Sequence, residues 1–225
     1  MQNNIESPQP LQAVTFDLDG LMFNTEQLYQ EVDREILARR GKDFPDALCD
    51  RMMGRKSSVA LQIMIDWHQL EDTTEQLAEE IAAQFAQVLP QRLAPMPGLL
   101  DLLDAMEQAS IPKAIATSSG RSFVDLVLGQ FSLASRFKFV LTGEDIDQGK
   151  PAPDVYLLAA QKLGLASERM MVLEDSQIGC QAATAAGAFT VAVPHGRSLE
   201  HSFPEVQFKA TSLADPRIAV ALQLS

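Results

Sequence analysis

Short apolar runs alternate with stretches of helical period along most of the chain. The runs are Ala13-Val14-Thr15-Phe16, Lys113-Ala114-Ile115-Ala116, and residues 137–141, 170–173 and 189–193. Runs this short and this continuous predict strands buried on both faces. Between them, Leu99, Leu102, Leu103 and Met106 follow the Pro97-Gly98 turn at i, i+3, i+4 and i+7. Phe123, Val124, Val127, Leu128 and Phe131 repeat that stripe. Pro153 opens a third helix, with Val155, Leu158, Ala159 and Lys162 in register and Gly164 as its stop. Ser176 is placed to cap a fourth, alanine-rich helix that ends at Gly187. Strand and helix in alternation predict a parallel sheet covered on both sides.

About a hundred residues separate the first run from the second, and this gap has a helical pattern of its own. Leu28, Val32 and Ile36 recur every four residues and the pattern ends near Gly41; a short helix from Asp46 stops at Gly54. Ser57 or Ser58 is expected to cap a helix through Leu61, Met64 and Ile65, with Met64 and Trp67 in its core face. Thr73 with Gln76 reads as a capping box for a helix to Leu89, on which Glu79 and Glu80 form a solvated face. The expected fold class is α/β: a Rossmann-like parallel sheet with helices on both faces, plus an inserted all-helical domain. The core takes residues 11–26 and 94–225, and the insertion takes residues 27–93.

Composition narrows the partners. The chain has 225 residues, enough for one full domain with a small one inserted. Its 18 Lys+Arg against 30 Asp+Glu leave a net charge of −12. That balance argues against nucleic acid or an anionic membrane surface, both of which need a basic face. It still allows a phosphate-bearing substrate, because one local site can be positive within an acidic protein. No apolar stretch is long enough to cross a membrane, and the start MQNNIESPQP lacks a signal-peptide pattern, so a cytoplasmic location is expected; monomer is the default state. Cys49 and Cys180 are expected to be free thiols; His68, His195 and His201 lack zinc-ligand spacing.

Four features stand just past predicted strands, where ligands gather in a parallel sheet. Phe16-Asp17-Leu18-Asp19-Gly20 places two carboxylates on a turn that can send them apart. One can bind a hard cation and attack an electrophile while the other handles a proton. Thr117-Ser118-Ser119-Gly120 offers hydroxyls and backbone N–H groups as a phosphate cradle, although such residues also serve as helix caps. In Gly149-Lys150-Pro151-Ala152-Pro153-Asp154, two prolines stiffen the turn around one lysine. That lysine could restrain a carboxylate nucleophile and neutralise phosphate. Val172-Leu173-Glu174-Asp175-Ser176 sets adjacent acids against an apolar strand, where they could complete an oxygen-rich Mg2+ site with Asp17.

In this order, FDLDG, ATSS, GKPAPD and LEDS resemble the four motifs of the haloacid dehalogenase superfamily, and the likeness runs from Leu11 onward. The helical insertion looks like the cap of its β-phosphoglucomutase-like subgroup. DGLMFNTEQLY, MGRKS, and MPG followed by IPKAIATSS look most like small-metabolite phosphatases, the pseudouridine-5'-phosphatase-like enzymes among them. The resemblance implies a Mg2+-dependent phosphomonoesterase acting on a small phosphorylated metabolite. Asp17 would be the nucleophile and a metal ligand; Asp19 would be the general acid and base, its carbonyl also on the metal. Thr117 and Ser118, with Ser119 and Gly20, would hold the phosphoryl group, and Lys150 would bridge Asp17 and phosphate. Asp175 would bind Mg2+, with Glu174 in direct contact or one water away.

The chain departs from the pattern at three places. Asn24 replaces an Asp and is expected to cap the following helix. Tyr29 stands where mutases of the subgroup carry a histidine, and Gly54-Arg55-Lys56-Ser57 lacks the arginine expected of a mutase's distal phosphate clamp. Arg55 and Lys56 are candidate substrate contacts from the cap, beside Gly54. Sugar-phosphate mutase is therefore the second reading, and a catalytically silent binding module the third.

Overall fold

The computed structural model describes residues 9–224. Six strands form one parallel sheet in the order β3-β2-β1-β4-β5-β6. They are β1 (Ala13–Phe16), β2 (Lys113–Ala116), β3 (Val140–Leu141), β4 (Met170–Glu174), β5 (Phe189–Ala192) and β6 (Phe208–Lys209). Every residue of β1, β2, β4 and β5 is buried, which is why these runs are apolar without alternation. The chain leaves β1 toward β2 and β3 on one side and later returns to β4, β5 and β6 on the other. Connections diverge at the carboxyl end of β1, and a crevice opens there.

Two strands differ from the expectation. The third is only two residues long, although Lys138 N donates to Lys113 O at 2.8 Å and Ile115 N to Phe139 O at 3.2 Å just ahead of it, and Phe137 sets its ring edge-on to Phe16 at 6.0 Å. The edge strand β6 has no sequence signal: two residues are too few to set a period, and β5 supplies the register.

Around the sheet lie α5 (Leu99–Gln108), α6 (Arg121–Gln130), α7 (Asp154–Leu163), α8 (Gln177–Ala185) and α9 (Pro216–Ala221). Leu99, Leu102, Leu103 and Met106 are all buried, as their spacing predicts. Ser176 caps α8 by accepting from the Gly179 N–H at 3.1 Å, a contact worth about 1 kcal/mol. Gly164 closes α7 at φ 74°. The buried stripe of α7 includes Tyr156 and Ala160, and Tyr156 becomes important below.

The insertion between β1 and α5 holds α1 (Thr25–Arg39), α2 (Asp46–Met52), α3 (Ser57–His68) and α4 (Thr74–Arg92). Thr73 and Gln76 form the expected capping box, and α4 runs one turn further, through Pro90 to Arg92. Other expectations fail for identifiable reasons. Neither Ser57 nor Ser58 caps α3; Lys56 holds that position. Trp67 is 38% exposed under the Arg51 guanidinium, 5.1 Å from its ring centroid, while Met64 is buried. Glu80 is ion-paired to Arg39 and Arg40 rather than merely solvated. Asn24 does not cap α1: its Oδ1 accepts from Ala94 N at 2.8 Å and its Nδ2 donates to Arg92 O at 3.1 Å. It thereby ties the outgoing chain to the returning one. A third contact reaches from the core, where Arg197 grips Asp50 on α2 with two hydrogen bonds of 2.6 and 2.9 Å. Among the described residues, no helix is long and apolar enough to cross a membrane. Cys49 and Cys180 are both free and buried.

Candidate active site

Past β1 the Asp17 N–H continues the sheet by donating to Leu173 O at 3.0 Å. The chain then turns sharply at Gly20, φ 77°, where a Cβ would lie 2.4 Å from Asp175 Oδ2. Only glycine fits both that backbone and that gap. The turn sends the two aspartates apart. Asp19 reaches the end of β2, where its Oδ2 accepts from Ser119 Oγ at 2.6 Å and Thr117 Oγ1 at 3.3 Å. Its Oδ1 is buried without a partner among the described residues.

Lys150 arrives from the loop before α7 and is 4% exposed. Its ammonium donates to Asp17 Oδ1 at 2.5 Å, Glu174 Oε1 at 2.6 Å and Ala116 O at 3.2 Å. Burial lowers the pKa of Lys150, but Asp17 and Glu174 more than offset it, so the net shift is upward and the lysine is charged. Glu174 is held from all sides. Tyr156 Oη donates to its Oε1 at 2.7 Å, and Ser176 N and Oγ donate to its Oε2 at 3.2 and 3.0 Å. A Cβ at Gly179 would fall 1.8 Å from that carboxylate, so a glycine at the start of α8 is what lets Glu174 lie there.

Asp17, Glu174 and Asp175 each bring a carboxylate oxygen within 4.8 Å of the others, and all three are buried. Burial pushes the Asp17 and Asp175 carboxyls well above the usual range, and the neighbouring acids push the same way. Three acids sharing one ammonium in a dry pocket call for another positive charge. An all-oxygen donor set of this kind fits a hard divalent cation such as Mg2+. Asp17 keeps one oxygen for further work: Lys150 takes Oδ1, and among the described residues no hydrogen bond holds Oδ2.

These groups floor a cavity of about 370 Å³. Asp17, Asp19, Thr117, Ser118, Ser119 and Asp175 line it from below; Tyr29, Gly54, Arg55, Ile81 and Phe85 reach it from the insertion. Ser118 Oγ donates to Gly54 O at 2.8 Å, joining the two sides. Four candidates are not on this lining: Lys150 and Glu174 are buried behind Asp17, and Lys56 and Gly20 lie elsewhere. Lys56 is absent from the lining because its ammonium is drawn onto the carbonyls of Ile146 and Asp147 at 2.6 and 3.0 Å. It fastens the insertion to the core. Gly20 sits in the turn below, where its N–H donates to Thr25 Oγ1 at 3.2 Å and it borders a separate small cleft.

Several groups at the site carry no motif. Tyr156 looks like one more apolar position of α7, yet its hydroxyl holds Glu174. His195 Nε2 lies 3.9 Å from Asp175 Oδ2 and 3.7 Å from Glu26 Oε2, on a loop that composition leaves featureless. Asp33 lines the upper cavity from α1 one position past the Leu28–Val32–Ile36 stripe, beside Tyr29, already marked by its departure from the mutase pattern.

Residues 14–193 match the family model described as haloacid dehalogenase-like hydrolase. The chain belongs to that family. This hydrolase is 37% identical over 213 residues to "(DL)-glycerol-3-phosphatase 2" of Arabidopsis thaliana, a match covering 90% of the chain and 87% of the relative. It is 32% identical to "Probable pseudouridine-5'-phosphatase" of Drosophila melanogaster, over 89% of each chain. The crystal structure of CbbY from Rhodobacter sphaeroides in complex with phosphate superposes with a TM-score of 0.80. That match spans 91% of this chain and 96% of the other at 23% identity, a likeness of fold. This hydrolase is an enzyme of the phosphatase type.

Proposed function

We propose that this hydrolase is a Mg2+-dependent phosphomonoesterase that cleaves a small phosphorylated metabolite through an aspartyl-phosphate on Asp17. The observation that carries the reading is the pairing at the end of β1. Asp17 is held through one oxygen by Lys150, and both Asp17 and Asp19 line the same cavity.

Asp17 Oδ2 attacks phosphorus, and the bond to the leaving oxygen breaks as Asp19 gives that oxygen a proton. Asp19 then takes a proton from water as the water oxygen attacks the same phosphorus. The Asp17–phosphate bond breaks and inorganic phosphate leaves. Burial raises the Asp19 pKa against the pull of Ser119 and Thr117, which favours a carboxyl that can start as an acid. Lys150 offsets negative charge at Asp17, so that a phosphate dianion can approach a carboxylate. Asp17, the Asp19 carbonyl and Asp175, with Glu174 alongside, would hold Mg2+, whose charge offsets that of the phosphoryl oxygens. Thr117, with the Ser118 amide, positions those oxygens.

Residues 27–93 act as a cap on a core of residues 11–26 and 94–225. Tyr29 supports hydrolase over mutase: it is wedged against Phe85 and Phe123, with centroids at 4.3 and 5.3 Å, and burial raises its phenol pKa further. It offers Asp19 no base to shuttle protons with. The pseudouridine-5'-phosphatase and glycerol-3-phosphatase names borne by relatives support a small organic phosphate as substrate.

The test is phosphate release with Mg2+ from nucleotides, pseudouridine monophosphate, sugar phosphates and glycerol phosphates, with conversion of β-glucose 1-phosphate to glucose 6-phosphate followed in parallel. Asp17→Asn is expected to lose about 10,000-fold or more in kcat while remaining folded, as a cooperative melting curve would show. Retained turnover in that variant removes the nucleophile, and isomerisation faster than hydrolysis replaces the phosphatase with a mutase.

A further inference from the structure

Asp33 is an ionisable group of the cavity lining that the chemistry above does not use. It lies on α1 at 5% exposure, and its carboxyl lines the upper cavity. Among the described residues, neither a hydrogen bond nor an ion pair reaches that carboxyl. The insertion side of the cavity is largely apolar: Leu61, Ile81 and Phe85 line it with Tyr29, and Phe85 meets Phe123 edge-on at 5.6 Å. A carboxyl left in such a place costs the fold several kcal/mol in order of magnitude, so an occupant of the cavity that bonds to it gains correspondingly.

Resting on the phosphatase reading, we propose that Asp33 determines substrate specificity by accepting a hydrogen bond from a hydroxyl at the far end of a sugar- or polyol-type phosphate. Helix geometry sets how far. Tyr29, one turn earlier on the same face, lies beside Asp19 and Ser119, directly above the reacting groups. Asp33 is about 6 Å further along the helix, so its partner lies well beyond the carbon that bears the phosphate. A glycerol-sized ester stops short; a six-carbon ester reaches. The aromatic and aliphatic wall takes the carbon skeleton, and Asp33 rejects a chain that brings no donor to it. Burial alone lifts its carboxyl to about 7, consistent with a group awaiting a partner.

The experiment compares kcat/KM with Mg2+ for sorbitol 6-phosphate, hexyl phosphate, glycerol 3-phosphate and 6-aminohexyl phosphate. Wild-type enzyme is expected to favour sorbitol 6-phosphate over hexyl phosphate by about 10- to 100-fold, the range for a hydrogen bond to a charged group. It should also favour sorbitol 6-phosphate over glycerol 3-phosphate. Asp33→Leu should bring the first ratio near one and improve hexyl phosphate; Asp33→Asn, of the same shape, should lower the ratio by about 10-fold. Melting curves of both variants establish that they are folded. A ratio that neither variant moves overturns the assignment, as does a wild-type preference for hexyl phosphate. An Asp33-dependent preference for 6-aminohexyl phosphate also overturns it, in favour of a cationic group. p-Nitrophenyl phosphate separates the two levels. If it and every other ester yield no phosphate, the phosphatase reading fails; if it is cleaved with the ratios flat, only the role of Asp33 fails.

Discussion

Beneath the floor of the cavity Glu174 is fully buried and answered by Lys150, Tyr156 and Ser176; on its roof Asp33 is nearly as buried and answered by nothing among the described residues. The same functional group is treated in opposite ways on the two sides of one cavity. A group that must keep its position through each catalytic cycle is fixed by neighbours, because a misplaced Lys150 or Asp17 loses attack geometry. A group that reads the substrate is left without a partner, so that binding supplies what folding withheld. The floor therefore depends on mutual compensation among charges, and the roof stores a cost that substrate relieves.

The largest expected effect lies on the floor. Asp19→Ala should lower kcat by about 100- to 10,000-fold for an alkyl phosphate whose leaving oxygen needs a proton. The loss should shrink for p-nitrophenyl phosphate, whose leaving group needs little help; equal losses on both would detach Asp19 from proton transfer. Next, Lys150→Met strands Asp17 and Glu174 without their shared cation. The expected cost is about 3–5 kcal/mol, read as a fall in the denaturant midpoint, with part recovered on adding Mg2+. A midpoint that stays in place would mean that the floor is not held by charge compensation.

The smallest effect, and the most diagnostic contrast, is a stability gain on the roof. The folded carboxyl of Asp33 is lifted from an ordinary 3.8 to about 7 by burial. Between those values the folded protein keeps a proton that the unfolded chain has lost, so stability falls as pH rises and levels off above about 7. Tyr29 on α1 and Cys49 on α2 face the same group and carry no charge over this range. Asp33→Leu should thus raise the melting temperature at pH 8, by a free energy on the order of 2–4 kcal/mol, with the gain fading toward pH 4. A gain that is independent of pH would assign it to apolar filling alone.

Much of the fold was legible because burial writes itself plainly in a parallel sheet: β1, β2, β4 and β5 are continuous apolar runs, and the stripe of α5 is complete. Helix caps were legible where the partner is local, as at Thr73 and Ser176, and misleading where a distant group competes. Asn24 had every local reason to cap α1, yet the returning chain at Arg92 and Ala94 takes its amide. Lys56 read equally as a substrate contact or a solvated surface residue, yet two core carbonyls take its ammonium. On the floor of the site, Asp17, Asp19, Lys150, Glu174 and Asp175 stand at motif positions and meet in space, whereas Tyr156 and Asp33 look like ordinary helical positions.

Strand and helix order, the inserted helices and the acid, hydroxyl and lysine set at strand ends are properties of short stretches, whose local propensities and periods act before any distant contact forms. Pairing across the molecule is another matter. Which carboxylate receives the lysine, which amide binds the two linkers and which acid is left alone in the roof depend on groups 18 to 133 positions apart along the chain. Free energies of those contacts arise only when burial removes water from both partners, so tertiary structure decides them.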